Sequence, residues 1–278
     1  MLLTPLPGIP LIQPGDDLPG IILAALDGAN LKLASDDILV LAQKIVSKAE
    51  GRIVNLSTVI PSPRAKELAL QAAKDPRMVE LILSESRAVL RVRPGTIIVE
   101  HRLGFVCASA GIDHSNVEGS HSDDFSHPVK RDTAKTQPEN GEAATTGRAE
   151  DWMLLLPEDP DASAARIRQK LEAASGARIG VLIIDSHGRA WRLGVVGAAI
   201  GFSGLPGLVD IRGQPDLFGY LLRITLIGAA DELAAAASLV MGQAAEGTPV
   251  VLVRGFPYPL REGSLKELLR PHEQDMFR

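Results

Sequence analysis

A chain of 278 residues is long enough to bury a sizeable core, as one large domain or two small ones. Its net charge of −5 and pI near 5.7, with 45% hydrophobic and 23% charged residues, argue against non-specific binding to nucleic acid or an anionic membrane. Aromatics at 4% leave little for base stacking, and the single cysteine, Cys107, excludes an intrachain disulfide and a cysteine-based zinc site.

The first residues, Met1 to Gly8, lack a basic start and carry Pro5 and Pro7, so they do not read as a signal peptide. No stretch approaches the ~20 apolar residues of a membrane span, and the expected location is cytoplasmic. Gly15-Asp16-Asp17-Leu18 reads as a helix start capped by Asp16 or Asp17, with Ile21, Leu23 and Leu26 in the helix. Ile38–Leu41 predicts a strand that delivers Gln43 and Lys44, then Ser47 and Lys48. Helices are expected from Pro63 through Ala72 and from Pro76 through Leu83, followed by strands at Val89–Val92, Thr96–Val99 and Phe105–Ala108.

From Gly119 to Asp151 the chain turns polar, rich in Ser, Thr, Asp, Glu, Lys and Pro, and cannot bury enough surface to offset the entropy of ordering it. It reads as a disordered insertion. The histidines His114, His121 and His127 in and beside it match no compact zinc spacing.

Order resumes at Trp152–Leu156. A helix capped by Asp161 or Ser163 shares Ala164, Ile167 and Leu171 on one face and stops at Gly176. Gly180-Val181-Leu182-Ile183-Ile184 is an uninterrupted aliphatic run, the mark of a strand buried on both faces. It runs straight into Asp185-Ser186-His187-Gly188, with a turn expected at Gly188. Asp185 there is either a turn cap or an oxygen ligand for a hard metal ion. The Gly194–Gly204 run reads first as packing glycines. A partly alternating strand at Leu222–Ile227, a helix from Asp231 to Met241 and a strand at Val250–Val253 complete the chain. The order predicts an α+β fold with mixed sheets and helices.

No Walker loop, dinucleotide fingerprint or Gly-x-Ser-x-Gly elbow is present, so nucleophilic hydrolase chemistry is disfavoured. What remains is a set of oxygen and amine groups at segment ends. They are Gln43, Lys44 and Lys48; Asp113 and Asn116; Asp185 and Ser186; Gln243 and Glu246. Such oxygens suit Mg2+ or Mn2+ and not zinc, and a lysine beside them suits phosphate. Each also has an ordinary reading as a turn former or solvated end. The residues alone leave open an enzyme, a metal-dependent phosphohydrolase, and a non-catalytic metal–nucleotide module.

Taken in order, several segments resemble the coenzyme F420-0:L-glutamate ligase family. They are Ile9–Ile12, Gly15–Leu18, Ser47–Gly51, Ala110–Asn116, Asp185–Arg189, Arg192–Gly201 and Met241–Gln243. The resemblance implies one ligase unit over residues 1–278, two-lobed and interrupted by the segment 119–151. It implies GTP contacts from Ile9, Pro10, Leu11, Ile12, Gln43, Lys44, Lys48 and Asn116, and from Met241, Gly242, Gln243, Ala244, Ala245, Glu246, Gly247 and Thr248. Asp113, Asp185, Ser186 and Gln243 would hold two divalent ions, Mg2+ or Mn2+, and the family also admits K+. The implied reaction is GTP-dependent addition of L-glutamate to coenzyme F420-0 through an acyl phosphate, by a homodimer with neither nucleic-acid nor membrane partners. Ser186 and His187 depart from the threonine and asparagine expected there. Ser186 keeps the ligating hydroxyl, and His187 is expected to alter substrate contacts.

Overall fold

In the computed structural model, which describes residues 1–113 and 151–276, the chain leaves one lobe for a second and returns. It opens with edge strand β1 (Leu2–Pro5), helix α1 (Leu18–Gly28), strand β2 (Ile38–Ala42) and short helix α2 (Gln43–Ala49). The smaller lobe comprises β3 (Ile53–Asn55), α3 (Pro63–Ala72), α4 (Pro76–Ser84), β4 (Ser86–Arg93), β5 (Thr96–His101), β6 (Val106–Ala108) and β7 (Trp152–Leu154). The return runs through α5 (Pro160–Ser175), β8 (Gly180–Arg189) and β9 (Arg192–Ser203). A minor pair, β10 (Val209–Asp210) and β11 (Leu226–Ile227), precedes α6 (Ala229–Met241) and β12 (Val250–Arg254).

The larger lobe is built on a five-stranded sheet of order β1-β12-β2-β8-β9, in which β2 and β8 run parallel and the other neighbours antiparallel. Successive side chains of a strand point to opposite faces, so an aliphatic run serves two cores at once. Leu39, Leu41, Val181, Ile183, Val250 and Leu252 pack with α1 and α5, through residues such as Ile22, Leu26, Ile167 and Leu171. Ile38, Val40, Leu182, Ile184, Val251 and Val253 face α6, against Leu233, Ala234 and Ala237. The result is three layers, with helices on both faces of the sheet. A Cβ on Gly197 would lie 2.5 Å from the Ala234 carbonyl oxygen, and one on Gly201 would collide with Pro160. These glycines of β9 therefore let α6 and α5 approach, as the packing reading expects.

The small lobe has its own core of Leu56, Ala65, Ala69, Val79, Ile82, Ile97, Val99, Cys107 and Met153, between α3, α4 and the antiparallel β4-β5-β6 sheet. A buried ion network anchors it. Glu85, just past α4, accepts from Arg52 Nη2 and Arg102 Nε, each at 2.8 Å. Arg52 Nε also donates to the Leu156 carbonyl at 2.9 Å, tying the network to the return segment. Burial opposes ionisation of Glu85, but His101, Arg102 and Arg52 outweigh it and hold its carboxyl down at about 2. His101 is fully buried, which lowers its pKa.

The expected α+β class holds, with most predicted helices and strands in place. Four local expectations are corrected. The aliphatic strand does not stop at Asp185, because β9 pairs with β8 as far as Arg189 and the turn falls at Ala190-Trp191, with Trp191 at φ +65°. The cap of α5 is Asp159, whose side chain accepts from the Ala162 N–H; Asp161 instead accepts from Phe202 and Leu265 N–H groups. Asp17 precedes α1 without a side-chain cap bond and pairs with Lys170, Asp16 turns back to accept from the Gln13 N–H, and only Leu226–Ile227 of the Leu222–Ile227 stretch pairs as a strand. The segment 119–151 and the three histidines lie outside the described residues, apart from Asp151. No helix among the described residues is long and apolar enough to cross a membrane.

Candidate active site

The two parallel strands β2 and β8 end side by side: Ala42 pairs with Ile184, after which β2 turns into α2 while β8 continues with Asp185. In open α/β sheets the space beyond the carboxyl ends of parallel strands is the usual place for a ligand, because chains diverge there and leave a crevice. A cavity of about 690 Å³ opens at this point, between the sheet edge and the small lobe. Its walls come from the 9–13 segment, the β2–α2 junction, the 111–113 turn, Ile184–Gly188 and the 241–249 loop after α6.

Nearly every residue singled out from the sequence lines this one cavity. Ile9, Pro10, Leu11 and Ile12 do, with Gln43, Lys44 and Lys48, then Asp113, Asp185 and Ser186, and Met241 through Thr248. Asn116 lies outside the described residues.

Gln43 is 1% exposed; its Oε1 accepts from Ser47 Oγ at 2.8 Å, and its buried Nε2 has no hydrogen-bond partner among the described residues. A buried amide donor without an acceptor costs about 1–3 kcal/mol, so a ligand oxygen at this wall would relieve it. Lys44 Nζ pairs with Asp113 Oδ2 at 2.7 Å across the lobe boundary. On the α6 side, Ser186 Oγ donates to Gln243 Oε1 at 2.8 Å, and Gln243 Nε2 donates to Ser238 Oγ at 2.9 Å. Ser238 thereby turns the amide oxygen of Gln243 toward Ser186. Asp185 Oδ2 lies 3.1 Å from His187 Nε2, with both side chains 14% exposed.

Charge and burial separate the roles of the neighbouring groups. Burial, reinforced by the negative charge of Asp185, pushes the Cys107 thiol up to about 12, so it stays protonated and is no nucleophile at neutral pH. Burial raises the Asp231 carboxyl, against the pull of the Ala199 N–H and of His187. Backbone N–H groups of the 243–246 turn lower Glu246.

A hard divalent ion is compatible with this donor set. Asp185, Ser186, Gln243 and Asp113 offer oxygens only, and neighbouring ligands at 2.0–2.1 Å on an octahedron stand about 2.9 Å apart. The 2.8 Å between Ser186 Oγ and Gln243 Oε1 matches that edge. No group of three or more His, Cys, Asp or Glu gathers among the described residues. Sequence reasoning missed Ser238, which lines the cavity and accepts from Gln243 Nε2. Ser238 carried only a weak signal, its place in the last turn of α6 five residues before Gln243.

Comparison with known proteins agrees with this architecture. Residues 8–255 match the model of the F420-0:gamma-glutamyl ligase family. The chain is 44% identical over 273 residues to the coenzyme F420:L-glutamate ligase of Methanothermobacter thermautotrophicus, covering 98% of this chain and 96% of the other. It is 42% identical to the enzyme of that name from Methanopyrus kandleri, with 99% and 97% covered. Against the Archaeoglobus fulgidus enzyme it is 39% identical, with 99% and 95% covered. With a match that spans both lobes and every wall of the cavity, the chain belongs to the F420-0:gamma-glutamyl ligase family.

Proposed function

We propose that the protein is a GTP-dependent ligase that joins L-glutamate to coenzyme F420-0 in F420 biosynthesis. The observation that carries this reading is the meeting of Lys44, Lys48, Asp113, Asp185, Ser186 and Gln243 in one cavity beyond β2 and β8. Groups drawn from four separated segments have no packing reason to meet there.

The terminal carboxylate of F420-0 attacks the γ-phosphorus of GTP, giving an acyl phosphate and GDP. The uncharged amine of glutamate then attacks the acyl carbon; inorganic phosphate leaves and the amine loses a proton, forming the amide. Such a sequence needs alignment and charge neutralisation more than a protein nucleophile. Gln43 Nε2 donates to a ligand oxygen, and Lys44 and Lys48 offset phosphate charge at the same wall. Asp185, Ser186, Gln243 and Asp113 would hold Mg2+ or Mn2+, which would supply charge stabilisation on the phosphoryl oxygens. The 241–249 loop covers the nucleotide.

Protein incubated with GTP, Mn2+ or Mg2+, L-glutamate and F420-0 is expected to yield a product heavier by one glutamyl unit in mass spectrometry. GTP cleavage that needs neither acceptor, with no adduct, would sink the ligase reading in favour of a phosphohydrolase; neither cleavage nor adduct would point to a binding module.

The active form is a homodimer. In support, Leu193, Leu217 and Phe218 are 96–98% exposed and Trp191 89%, on the β8–β9 turn and the excursion between β10 and β11. Apolar side chains grouped at such tips favour a covering partner. Light scattering is expected to give twice the chain mass, falling to one chain for Leu193→Glu combined with Phe218→Glu. A monomeric wild type would refute it.

A further inference from the structure

An aromatic contact chain crosses the lobe boundary and ends at the candidate metal ligand. It begins at His101, whose ring is fully buried. Its Nδ1 accepts from the Leu103 N–H at 3.0 Å, and its Nε2 faces Glu85 Oε2 at 3.6 Å. The Phe105 ring stacks on it at 5.2 Å between centroids and only 6° between planes. Phe105 is also 5.2 Å from the His187 ring, tilted by 48°. It packs partly buried against both the small-lobe core and one face of the five-stranded sheet. His187 in turn engages Asp185 Oδ2, which leaves Oδ1 as the oxygen to offer an ion.

We propose that Phe105 and His187 are positioning residues: through them the small lobe sets the orientation of the Asp185 carboxylate for a divalent ion. The inference rests on the metal reading of the site given above. A carboxylate on the open end of a hairpin, with no neighbour to hold it, samples several rotamers and loses entropy when it coordinates. Here the His187 ring, with its Nε2 3.1 Å from Oδ2, limits the rotamers open to the carboxylate, and the Phe105 ring holds the imidazole in that place. Partners of this kind, one shell out from a metal, characteristically change metal affinity by 10–100-fold when removed. The rigid end of the chain is the Glu85–Arg52–Arg102 network, so the position of Asp185 depends on small-lobe packing, with Phe105 as the joint.

The test is Mn2+ binding by the intact protein, read from the free-ion electron paramagnetic resonance signal, together with melting temperature. Phe105→Leu keeps most of the apolar volume and loses the ring; His187→Ala removes the other end of the bridge. Both are expected to weaken Mn2+ binding by about tenfold, with Phe105→Tyr restoring it to within about twofold of wild type. A melting temperature close to wild type separates positioning from general damage. Unchanged or tighter Mn2+ binding in folded His187→Ala would overturn the inference, as would a folded Phe105→Leu that binds as wild type does. His187→Ala decides the matter if Phe105→Leu does not fold. Wild type that binds Mn2+ while both variants bind equally well would remove the bridge and keep the metal site; wild type that binds no Mn2+ removes both.

Discussion

Asp185→Asn is expected to lower glutamyl transfer by at least ~100-fold while the fold survives. The loss follows from the metal-ligand role proposed for Asp185, since charge stabilisation by a bound metal is worth several kcal/mol in the transition state. Survival of the fold follows from where the side chain sits. Asp185 belongs to none of the three hydrophobic clusters, its backbone pairing with Ala198 is untouched, and its side chain meets His187 at the cavity wall. Asn keeps the shape and one oxygen, so residual activity should appear at high Mn2+. The measurement is turnover against Mn2+ concentration, beside thermal melting. A metal titration identical to wild type would rule out Asp185 as a ligand.

The second large effect concerns stability and acid. Glu85→Gln should cost about 3 kcal/mol at neutral pH, because the variant leaves Arg52 and Arg102 partly buried without their shared anion. The same magnitude follows from linkage. The carboxyl falls from an ordinary 4.5 to about 2 in the folded protein, which corresponds to roughly 3 kcal/mol. With the folded-state pKa depressed, the contribution is complete above 4.5 and disappears as pH falls toward 2. His101 adds a separate acid loss. Burial lowers its pKa below 6.5, so protonation favours the unfolded chain and stability falls once pH drops below that value. Urea denaturation at a series of pH values should show the gap between wild type and Glu85→Gln closing between about pH 5 and pH 2. A gap that stays constant through that range would mean that Glu85 acts by packing alone.

Much of the molecule could be read from local pattern. The aliphatic run Gly180–Ile184 declared a strand buried on both faces, and the two cores it serves confirm the physical basis, since neither face could tolerate a polar side chain. Pro63 and Pro76 marked helix starts for the same local reason: a missing N–H costs nothing in a first turn. The absence of a Walker loop and of a nucleophile elbow likewise needed no coordinates.

Local pattern failed where a distant partner made the decision. Nothing between Asp185 and Arg189 signals that the strand continues, because its continuation is set by pairing with β9 and by glycines that admit α6. Asp161, read as a helix cap, serves Phe202 and Leu265 instead, 41 and 104 residues away along the chain. The oxygen and amine groups at segment ends were each visible in the sequence with an equally good ordinary reading. Their meeting beyond β2 and β8 depends on a parallel pairing across more than a hundred residues, and side-chain type does not encode that proximity. The joint made by Phe105 between His101 and His187 is wholly tertiary, since a ring's neighbours are chosen by packing and not by its place in the chain.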